Sequence, residues 1–212
     1  MKNILFTIVF VAISIANSAA QTDKKQDFLY SNKFSILAGL IQPLALKGGN
    51  IEVNYFTKRM AFDYSHGFSL DPPTVGAFKD QNLALHLPFS TGFGVGYRFN
   101  SFLDLRFEPK LHSWEIYKKD VEQTDANKLV DLKTITLGFG LYYRYFPFKN
   151  RNNKFLQGIT TSSSIRYWQN VGTTLSKDEF TYLDKATNKT QTIKAPNIGL
   201  ANTPLIINIG VG

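Results

Sequence analysis

Hydrophobic and polar residues alternate with a period of two along most of the chain, the spacing at which successive side chains of a β-strand point to opposite faces. From Leu83 to Phe99 the odd-numbered positions are mostly apolar and the even-numbered ones mostly small or polar. From Leu103 to Leu111 the contrast is sharper, because the even positions carry Asp104, Arg106, Glu108, Lys110 and, just beyond, His112. These segments predict two long strands, each with one apolar and one polar face.

The same alternation recurs at 34–44, 51–55, 60–64, 135–145, 159–167 and 205–211. Around Thr57–Arg59 its phase changes, which a bulge or a tight turn can produce; we interpret it as a turn. The sequence thus predicts eight strands in one domain, with no repeat or linker that indicates a second. Connections are short near 46–50, 57–59, 100–102 and 149–154, but long and polar at 71–82, 118–131 and 171–195.

The composition excludes several classes of protein. The chain of 212 residues has no cysteine, which excludes disulfides, thiolate catalysis and cysteine-ligated metals. Its 18 Phe and 10 Tyr are too many for a disordered chain. The formal net charge of +8 is typical of a nucleic-acid binder or of a protein that faces an anionic surface.

The N-terminus has the features of a secretory signal peptide. Lys2 precedes the apolar run Ile4–Ile15, and the small residues Ser18-Ala19-Ala20 fit a cleavage site. The run is shorter than the ~20 residues that a spanning helix needs. We predict a signal peptide at 1–20, a short extension at 21–33 and an exported domain at 34–212. Because an exported chain seldom meets nucleic acid, we predict no nucleic-acid partner, and the basic charge favours a membrane surface.

Alternation alone does not decide which face of the strands meets water. A soluble sandwich or ligand-binding barrel buries the apolar face, whereas a transmembrane barrel turns it to lipid and lines its lumen with the polar face. A three-residue turn between Phe99 and Leu103 would pair Arg98 with Asp104, Gly96 with Arg106, Gly94 with Glu108, Gly92 with Lys110 and Ser90 with His112. Long side chains opposite small ones suit a crowded barrel interior, while a solvated face needs no glycines there.

Two further features favour the transmembrane barrel. Aromatic residues lie near predicted strand ends, as expected where a barrel has a membrane interface at both rims. The group that flanks the short turns is Tyr97, Phe99, Phe102, Tyr143, Tyr145, Phe146, Phe148 and Phe155. The group beside the long loops is Trp114, Tyr117, Tyr167 and Trp168. The last feature is the signal peptide, combined with short turns at one rim and long polar loops at the other.

On these residues, over 34–212, the chain resembles the small outer-membrane β-barrel proteins of Gram-negative bacteria, the OmpA/OmpX/OmpW-like or porin-like group. The resemblance is architectural and uses no diagnostic motif. It implies an all-β fold, a closed antiparallel up-and-down transmembrane barrel of eight strands in the outer membrane, with lipids, lipopolysaccharide and the barrel assembly machinery as partners. The chain departs from that group at Asn208–Gly212, which has no terminal aromatic residue. The strand count and the oligomeric state therefore stay open.

The polar faces supply the candidate site. Eight strands enclose room only for side chains, and buried charges persist only when they are paired. We predict a mixed-charge network that plugs the lumen, formed by Arg98, Asp104, Arg106, Glu108, Lys110, His112, Arg144 and Arg166. If the lumen conducts, the same residues would line a narrow pore.

Signals for catalysis and metal binding are weak. The three histidines, His66, His86 and His112, have no metal-binding spacing, so we predict neither a metal nor a cofactor. The run Asp63-Tyr64-Ser65-His66 holds the residue types of a catalytic triad, but strand neighbours point to opposite faces. We predict that the protein is not an enzyme, with lipid A modification as the enzymatic alternative. Loop lysines are either solvated or bind lipopolysaccharide phosphates: Lys118, Lys119, Lys128, Lys177, Lys185, Lys189 and Lys194.

The sequence therefore predicts an outer-membrane protein with a structural or surface-interaction role and a charged, plugged lumen. Two alternatives remain. One is a narrow pore or small-solute transport barrel, and the other is a soluble periplasmic ligand-binding barrel.

Overall fold

The structure is a computed structural model that describes residues 32–74, 77–184, 187–194 and 205–212. The predicted signal peptide at 1–20 lies outside the described residues, as does 21–31 of the predicted extension. Among the helices of the described ranges, none is long and apolar enough to cross a membrane.

Ten strands and three short helices make up the described chain. Eight of the strands form one antiparallel sheet, and they are β1 (Lys33–Gly39), β2 (Gly49–Phe56), β3 (Met60–Leu70), β4 (Leu83–Arg98), β5 (Leu103–Lys118), β6 (Val130–Tyr145), β7 (Thr161–Thr173) and β10 (Leu205–Val211). A separate hairpin consists of β8 (Glu179–Asp184) and β9 (Lys189–Lys194). The helices are α1 (Ile41–Ala45), α2 (Ala77–Asp80) and α3 (Lys154–Gly158), and a single 3₁₀ turn spans Ser176–Asp178.

The eight-stranded sheet closes on itself as a ring in the order β1-β10-β7-β6-β5-β4-β3-β2. Each strand pairs with its neighbour along the chain, except that the β8–β9 hairpin is inserted between β7 and β10. The ring closes where β1 meets β10, with the pairs Ala38–Val211 and Gly39–Gly210. The six other strands of the ring are paired on both sides, whereas β1 and β10 pair with each other at these two positions only. The prediction of eight antiparallel strands is confirmed for this ring.

The predicted register between β4 and β5 is confirmed. Arg98 pairs with Asp104, Gly96 with Arg106, Gly92 with Lys110 and Ser90 with His112. The glycines leave room for the long side chains opposite them. At Gly96, for example, an added Cβ would lie only 2.6 Å from Cγ of Arg106, which is too close for a normal contact. The turn predicted at 57–59 is also confirmed, since β2 ends at Phe56 and β3 begins at Met60.

The prediction of one apolar face from Leu83 to Phe99 is wrong. Between His86 and Phe89 the register shifts by one extra residue in β4, so that Leu83, Leu85 and Leu87 point into the ring with Ser90 and Gly92. The physical reason lies at Pro88, which has no N–H to donate to a neighbouring strand. On β3, beside this bulge, Ser69 adopts a φ of 52° and Leu70 turns inward to pair with Leu87.

The region 171–195, predicted as a polar loop, instead contains the β8–β9 hairpin. Side chains of the hairpin pack on the inward-facing ends of β4, β5 and β6, and α2 adds Phe78 to the same cluster. The buried members of this apolar cluster are Leu70, Phe78, Leu83, Leu85, Leu87, Trp114, Ile116, Leu132, Phe180, Tyr182 and Ile193. We call this group the upper cluster, because it covers one end of the ring interior.

The connections divide between two rims. The upper rim comprises 40–48, 71–82, 119–129 and the β8–β9 hairpin, and the lower rim comprises 57–59, 99–102 and 146–160. The connection that was predicted to be short, near 46–50, therefore lies at the upper rim, together with the long connections. Strand β1 ends at Gly39 rather than near 44, since Pro43 cannot pair in a sheet but fits the first turns of α1. The lower connection predicted at 149–154 extends from 146 to 160 because it contains α3, and β7 accordingly begins at Thr161 and not at Ile159.

The aromatic belt predicted beside the long loops does not form. Trp114, Tyr117 and Trp168 are buried, and only Tyr167 of that group faces outward with about half of its surface exposed. Trp114 and Trp168 have even numbers on β5 and β7, and even positions of these strands point into the ring. At the lower rim the predicted aromatic residues are largely exposed, among them Tyr97, Phe99, Tyr145, Phe148 and Phe155.

Replacing Gly138 by alanine should destabilise the ring. A Cβ at this position would lie 1.9 Å from Cδ1 of Trp168 and 2.4 Å from the carbonyl oxygen of Tyr167, so backbone must move. We expect Gly138→Ala to lower the free energy of unfolding by about 1–3 kcal/mol, as overpacking typically does. The measurement is urea unfolding followed by tryptophan fluorescence. The control is Gly158→Ala, where nothing lies within 4 Å of the added Cβ; equal unfolding midpoints for the two variants would contradict the packing described here.

Candidate functional site

The candidate site is the set of charged side chains inside the ring. All eight residues predicted for the lumen network are buried there: Arg98, Asp104, Arg106, Glu108, Lys110, His112, Arg144 and Arg166. They come from β4, β5, β6 and β7, at positions whose neighbours along the strand point outward. Strand alternation thus brings side chains from distant parts of the sequence into one enclosed space.

Arg106 is the centre of the network. Its Nη1 donates hydrogen bonds to Oδ2 of Asp63 at 3.0 Å and to Oε1 of Glu52 at 3.2 Å. The same nitrogen donates to Oδ1 of Asn54 at 2.6 Å, while Nε donates to Oδ1 of Asp104 at 2.5 Å. A guanidinium has several donors in a fixed plane, which is why one arginine can satisfy carboxylates from three strands.

A second group of contacts surrounds Glu108. Its carboxylate accepts hydrogen bonds from the hydroxyl of Tyr142 and from Nε1 of Trp168, the latter at 3.2 Å. Nη1 of Arg166 lies 3.9 Å from Oε1 of Glu108, and Nη2 of Arg166 lies 3.0 Å from Oε2 of Glu52. Glu52 therefore joins this group to the one around Arg106.

Lys110 contacts polar and aromatic side chains rather than a carboxylate. Its Nζ donates a hydrogen bond to Oγ of Ser65 and lies 4.8 Å from the centre of the Trp168 ring. An ammonium over an indole face is attracted by the negative potential of the ring. This contact helps to hold a lysine that is almost completely buried.

Near the lower rim, the arginines pack on an aromatic ring. The guanidinium carbon of Arg144 lies 3.7 Å from the centre of the Phe56 ring, and that of Arg98 lies 5.3 Å from it. Nη2 of Arg144 lies 2.9 Å from Oδ2 of Asp104, and Arg98 donates to the carbonyl oxygen of Thr57. Phe56 thus offers one aromatic ring to two neighbouring guanidinium groups.

His112 belongs to the interior but forms no ion pair. Its Nδ1 lies 2.8 Å from Oγ of Ser90, and its Nε2 lies 2.8 Å from Oγ1 of Thr136. A catalytic triad needs a carboxylate on the second ring nitrogen, and here a threonine occupies that position. As the sequence predicts, Asp63 and Ser65 point inward while His66 points outward, so the run 63–66 does not assemble a triad either.

Sequence reasoning missed several members of the network, namely Glu52, Asn54, Asp63, Ser65, Tyr142 and Trp168. A signal for them was present, because Glu52 and Asn54 alternate with apolar residues in β2, and Asp63 does so in β3. The alternation gives the face on which a residue lies. It does not give the partner across the ring, which depends on how far each strand is staggered against the next.

The interior is closely filled. Among the described residues, five buried cations, Arg98, Arg106, Lys110, Arg144 and Arg166, share it with four buried carboxylates, Glu52, Asp63, Asp104 and Glu108. Above them lies the upper cluster, whose Trp114 donates to Oγ1 of Thr134 at 2.9 Å. Beside the β1–β10 junction lies a small polar pocket, open to solvent, with Glu52, Arg166 and Asn208 in its wall. Among the described residues, no group of three or more His, Asp or Glu is placed to hold a metal ion.

Several of the loop lysines are engaged in ion pairs at the upper rim. Nζ of Lys118 lies 3.4 Å from Oδ2 of Asp184, which ties β5 to the β8–β9 hairpin. Nζ of Lys128 lies 3.1 Å from Oε1 of Glu115 and 3.0 Å from Oδ1 of Asp125. Hydrogen bonds to Asp125 and Glu115 raise the pKa of Lys128 above its ordinary value. These lysines therefore already face acidic partners from this chain.

Asp71 joins three upper-rim segments. Its Oδ1 lies 2.7 Å from Nδ1 of His86, on β4, and 3.4 Å from Nε2 of Gln123, in the connection 119–129. Its Oδ2 lies 3.4 Å from Nζ of Lys47, in the connection 40–48. Partial burial by itself raises the pKa of Asp71, but the hydrogen bonds from His86, Gln123 and Lys47 hold it below its ordinary value.

Replacing Arg106 by methionine should be strongly destabilising. The change leaves Glu52, Asp63 and Asp104 buried without their shared cation. Breaking a buried ion pair on one side typically costs about 3–5 kcal/mol, and urea unfolding measures it. The control is Arg59→Met, at an exposed lower-rim arginine. Adding Asp63→Asn to Arg106→Met should recover part of the loss, and no recovery would argue against electrostatic coupling between these residues.

The comparisons with known proteins return no relative. A scan against protein-family models, a search of curated proteins and a search of solved structures each found no match to this chain.

Proposed function

We propose that this protein is an outer-membrane β-barrel with a structural or surface-interaction role and a charged, plugged lumen. The observation that carries the proposal is the outer surface of the ring, which is a continuous apolar belt. Outward-facing residues of the belt include Phe34, Ile36, Ile51, Val53, Phe62, Phe93, Val95, Leu105, Phe107, Ile135, Leu137, Phe139, Leu141, Ile165, Ile207 and Ile209, all substantially exposed.

The described outward positions of this belt carry no charged residue. Charged residues that lie just above the belt mark its upper limit. Among the described outward positions between Ile135 and Tyr145 of β6, and at the same level on the neighbouring strands, there is no Asp, Glu, Lys or Arg. Just above them, Glu115 on β5 and Asp131 and Lys133 on β6 point outward. A water-facing surface of this size would carry charges, since large exposed apolar patches mark contact with a partner or a membrane.

The height of the belt agrees with a bilayer. From Ile135 to Tyr145 the strand makes ten steps of about 3.3 Å each. At the tilt of about 40° typical of barrel strands, this corresponds to about 25 Å along the ring axis, which matches the apolar band of outer-membrane barrels. The predicted export signal and the ring topology support the same setting.

The contents of the ring favour a scaffold over a conduit. The ion-pair network spans the interior, and the upper cluster covers it towards the long connections. What the protein would present to its surroundings is then the upper rim, whose segments are tied together by Asp71 and by the Lys118–Asp184 pair. Lipopolysaccharide at the upper rim and the barrel assembly machinery are the partners that we propose with this role.

A charge introduced into the belt should prevent membrane assembly. We expect Phe139→Arg, in the middle of the belt, to cost about 2–4 kcal/mol, as arginine does at the bilayer midplane. The measurement compares boiled with unboiled membrane fractions on a cold detergent gel, where a folded membrane barrel changes mobility on boiling. The control is Leu183→Arg on β8, which is also half exposed but lies at the upper rim.

The wild-type protein and Leu183→Arg should both show the mobility shift, and Phe139→Arg should lose it. A soluble protein with no shift would overturn the proposal and turn attention to the soluble ligand-binding alternative. Equal behaviour of the two arginine variants would show that the belt does not meet lipid.

The plugged lumen predicts an absence of steady conductance. Purified protein inserted into a planar bilayer should give no single-channel steps, because paired charges and the upper cluster leave no continuous water path. A porin reconstituted in the same bilayer provides the positive control. Regular conductance steps from the wild-type protein would replace the scaffold role by the narrow-pore alternative.

A further inference from the structure

Among the described residues, the connections of the lower rim carry positive charge without acidic side chains. Its connections, 57–59, 99–102 and 146–160, contain no Asp or Glu. They contain five exposed cations, Lys58, Arg59, Lys149, Arg151 and Lys154. At the upper rim, by contrast, lysines and acidic residues are mixed, and Lys118 and Lys128 lie in ion pairs. The two ends of the ring therefore differ in charge, and the basic excess of the chain is concentrated at the lower one.

Exposed aromatic side chains accompany these cations. Phe155 is 78% exposed and Phe99 is 56% exposed, values that leave most of each ring without protein contact. Phe148 is exposed in the same connection as Phe155. Such residues are unfavourable in water but suit the boundary between headgroups and acyl chains.

The connection 146–160 is held in a defined conformation. Asn153 caps α3, and its Oδ1 accepts hydrogen bonds from the backbone N–H groups of Phe155 at 2.9 Å and of Leu156 at 3.3 Å. Nε2 of Gln157 donates to the carbonyl oxygen of Arg151 at 2.5 Å. Lys149, Arg151, Lys154 and Phe155 are therefore presented on an ordered segment.

From this arrangement we infer that the lower rim is a binding surface for the headgroups of anionic phospholipids, with Phe155 and Phe148 inserted beside them. The inference rests on the proposed membrane setting, in which the rim borders the apolar belt below Tyr97 and Tyr145. At that level the anions beside the rim are lipid phosphates, and each lysine or arginine near an anionic surface strengthens binding. An acidic protein would need to reach a surface that the headgroups already border.

The test uses native mass spectrometry of the folded protein in detergent micelles, titrated with phosphatidylglycerol or with phosphatidylcholine. Wild-type protein should retain phosphatidylglycerol preferentially, and the preference should decline as salt is added. The lower-rim variant combines Lys149→Gln, Arg151→Gln and Lys154→Gln. Since one cation near an anionic surface contributes about fivefold to binding, the loss of three corresponds to about a hundredfold if their effects are additive. We expect this variant to lose at least about tenfold of the preference.

The matched control removes the same charge from the upper rim, through Lys119→Gln, Lys177→Gln and Lys189→Gln, all at exposed positions. It should keep the wild-type lipid preference. Equal loss in both triple variants would overturn the inference, because net charge alone would then account for the binding. Equal retention of the two lipids by wild-type protein would overturn it as well.

Failure of the inference is distinguishable from failure of the proposed function. Each variant is first tested for the mobility shift on boiling. If wild-type protein lacks the shift, the membrane setting itself is wrong. If all three proteins shift and none prefers phosphatidylglycerol, the membrane setting stands and the lower-rim inference alone is wrong.

Discussion

The need to neutralise buried charge inside a closed ring governs most of this structure. Five cations and four carboxylates lie in a space that holds only side chains, and an ion buried without a partner is far costlier than one in water. Arg106 reaches carboxylates on three strands, so its pairing fixes how β2, β3 and β5 are placed relative to each other. Most of these ions have a charged or polar partner within the ring, while Nδ2 of Asn54 and Nε of Arg144 are buried without a hydrogen-bond partner. This pairing is the physical basis for the scaffold role that we propose.

Glycine and charge are two parts of one packing arrangement. Gly92, Gly96 and Gly140 lie opposite or beside the long side chains of the network, and a Cβ at any of them would meet atoms closer than 3.0 Å. Because these glycines have no side chain, the long charged side chains of the network occupy the space beside them. At the lower end, the ring of Phe56 fills space beside the guanidinium groups of Arg98 and Arg144. Removing either kind of residue would disturb the other.

The sequence predicts the ring well but the upper part poorly, for identifiable reasons. Strict alternation in β5 and β6 identifies inward and outward faces, and the turn at 99–102 then fixes the β4–β5 register. The bulge at Pro88 reverses the faces of β4 within two residues, and a single proline in a strand pattern does not reveal that reversal. The β8–β9 hairpin is short and mostly polar, so its alternation is too weak to stand out. Glu52 and Asp63 were missed as partners because contacts across a ring depend on strand stagger, which local patterns do not encode.

The bulge at Pro88 also separates two opposite arrangements of apolar residues within one sheet. Below it, β4 carries its polar residues inside and its apolar residues outside; above it, Leu83, Leu85 and Leu87 face inward, and neighbouring strands turn Glu115, Asp131 and Lys133 outward. The upper part therefore has the ordinary architecture of a water-soluble protein, and burial of apolar surface from water stabilises its cluster. In a bilayer, the lower part would gain nothing from that effect and would depend on polar pairing alone. One continuous sheet would then be stabilised by burial of apolar side chains at its upper end and by pairing of polar side chains at its lower end. The bulge would lie at the boundary between the two.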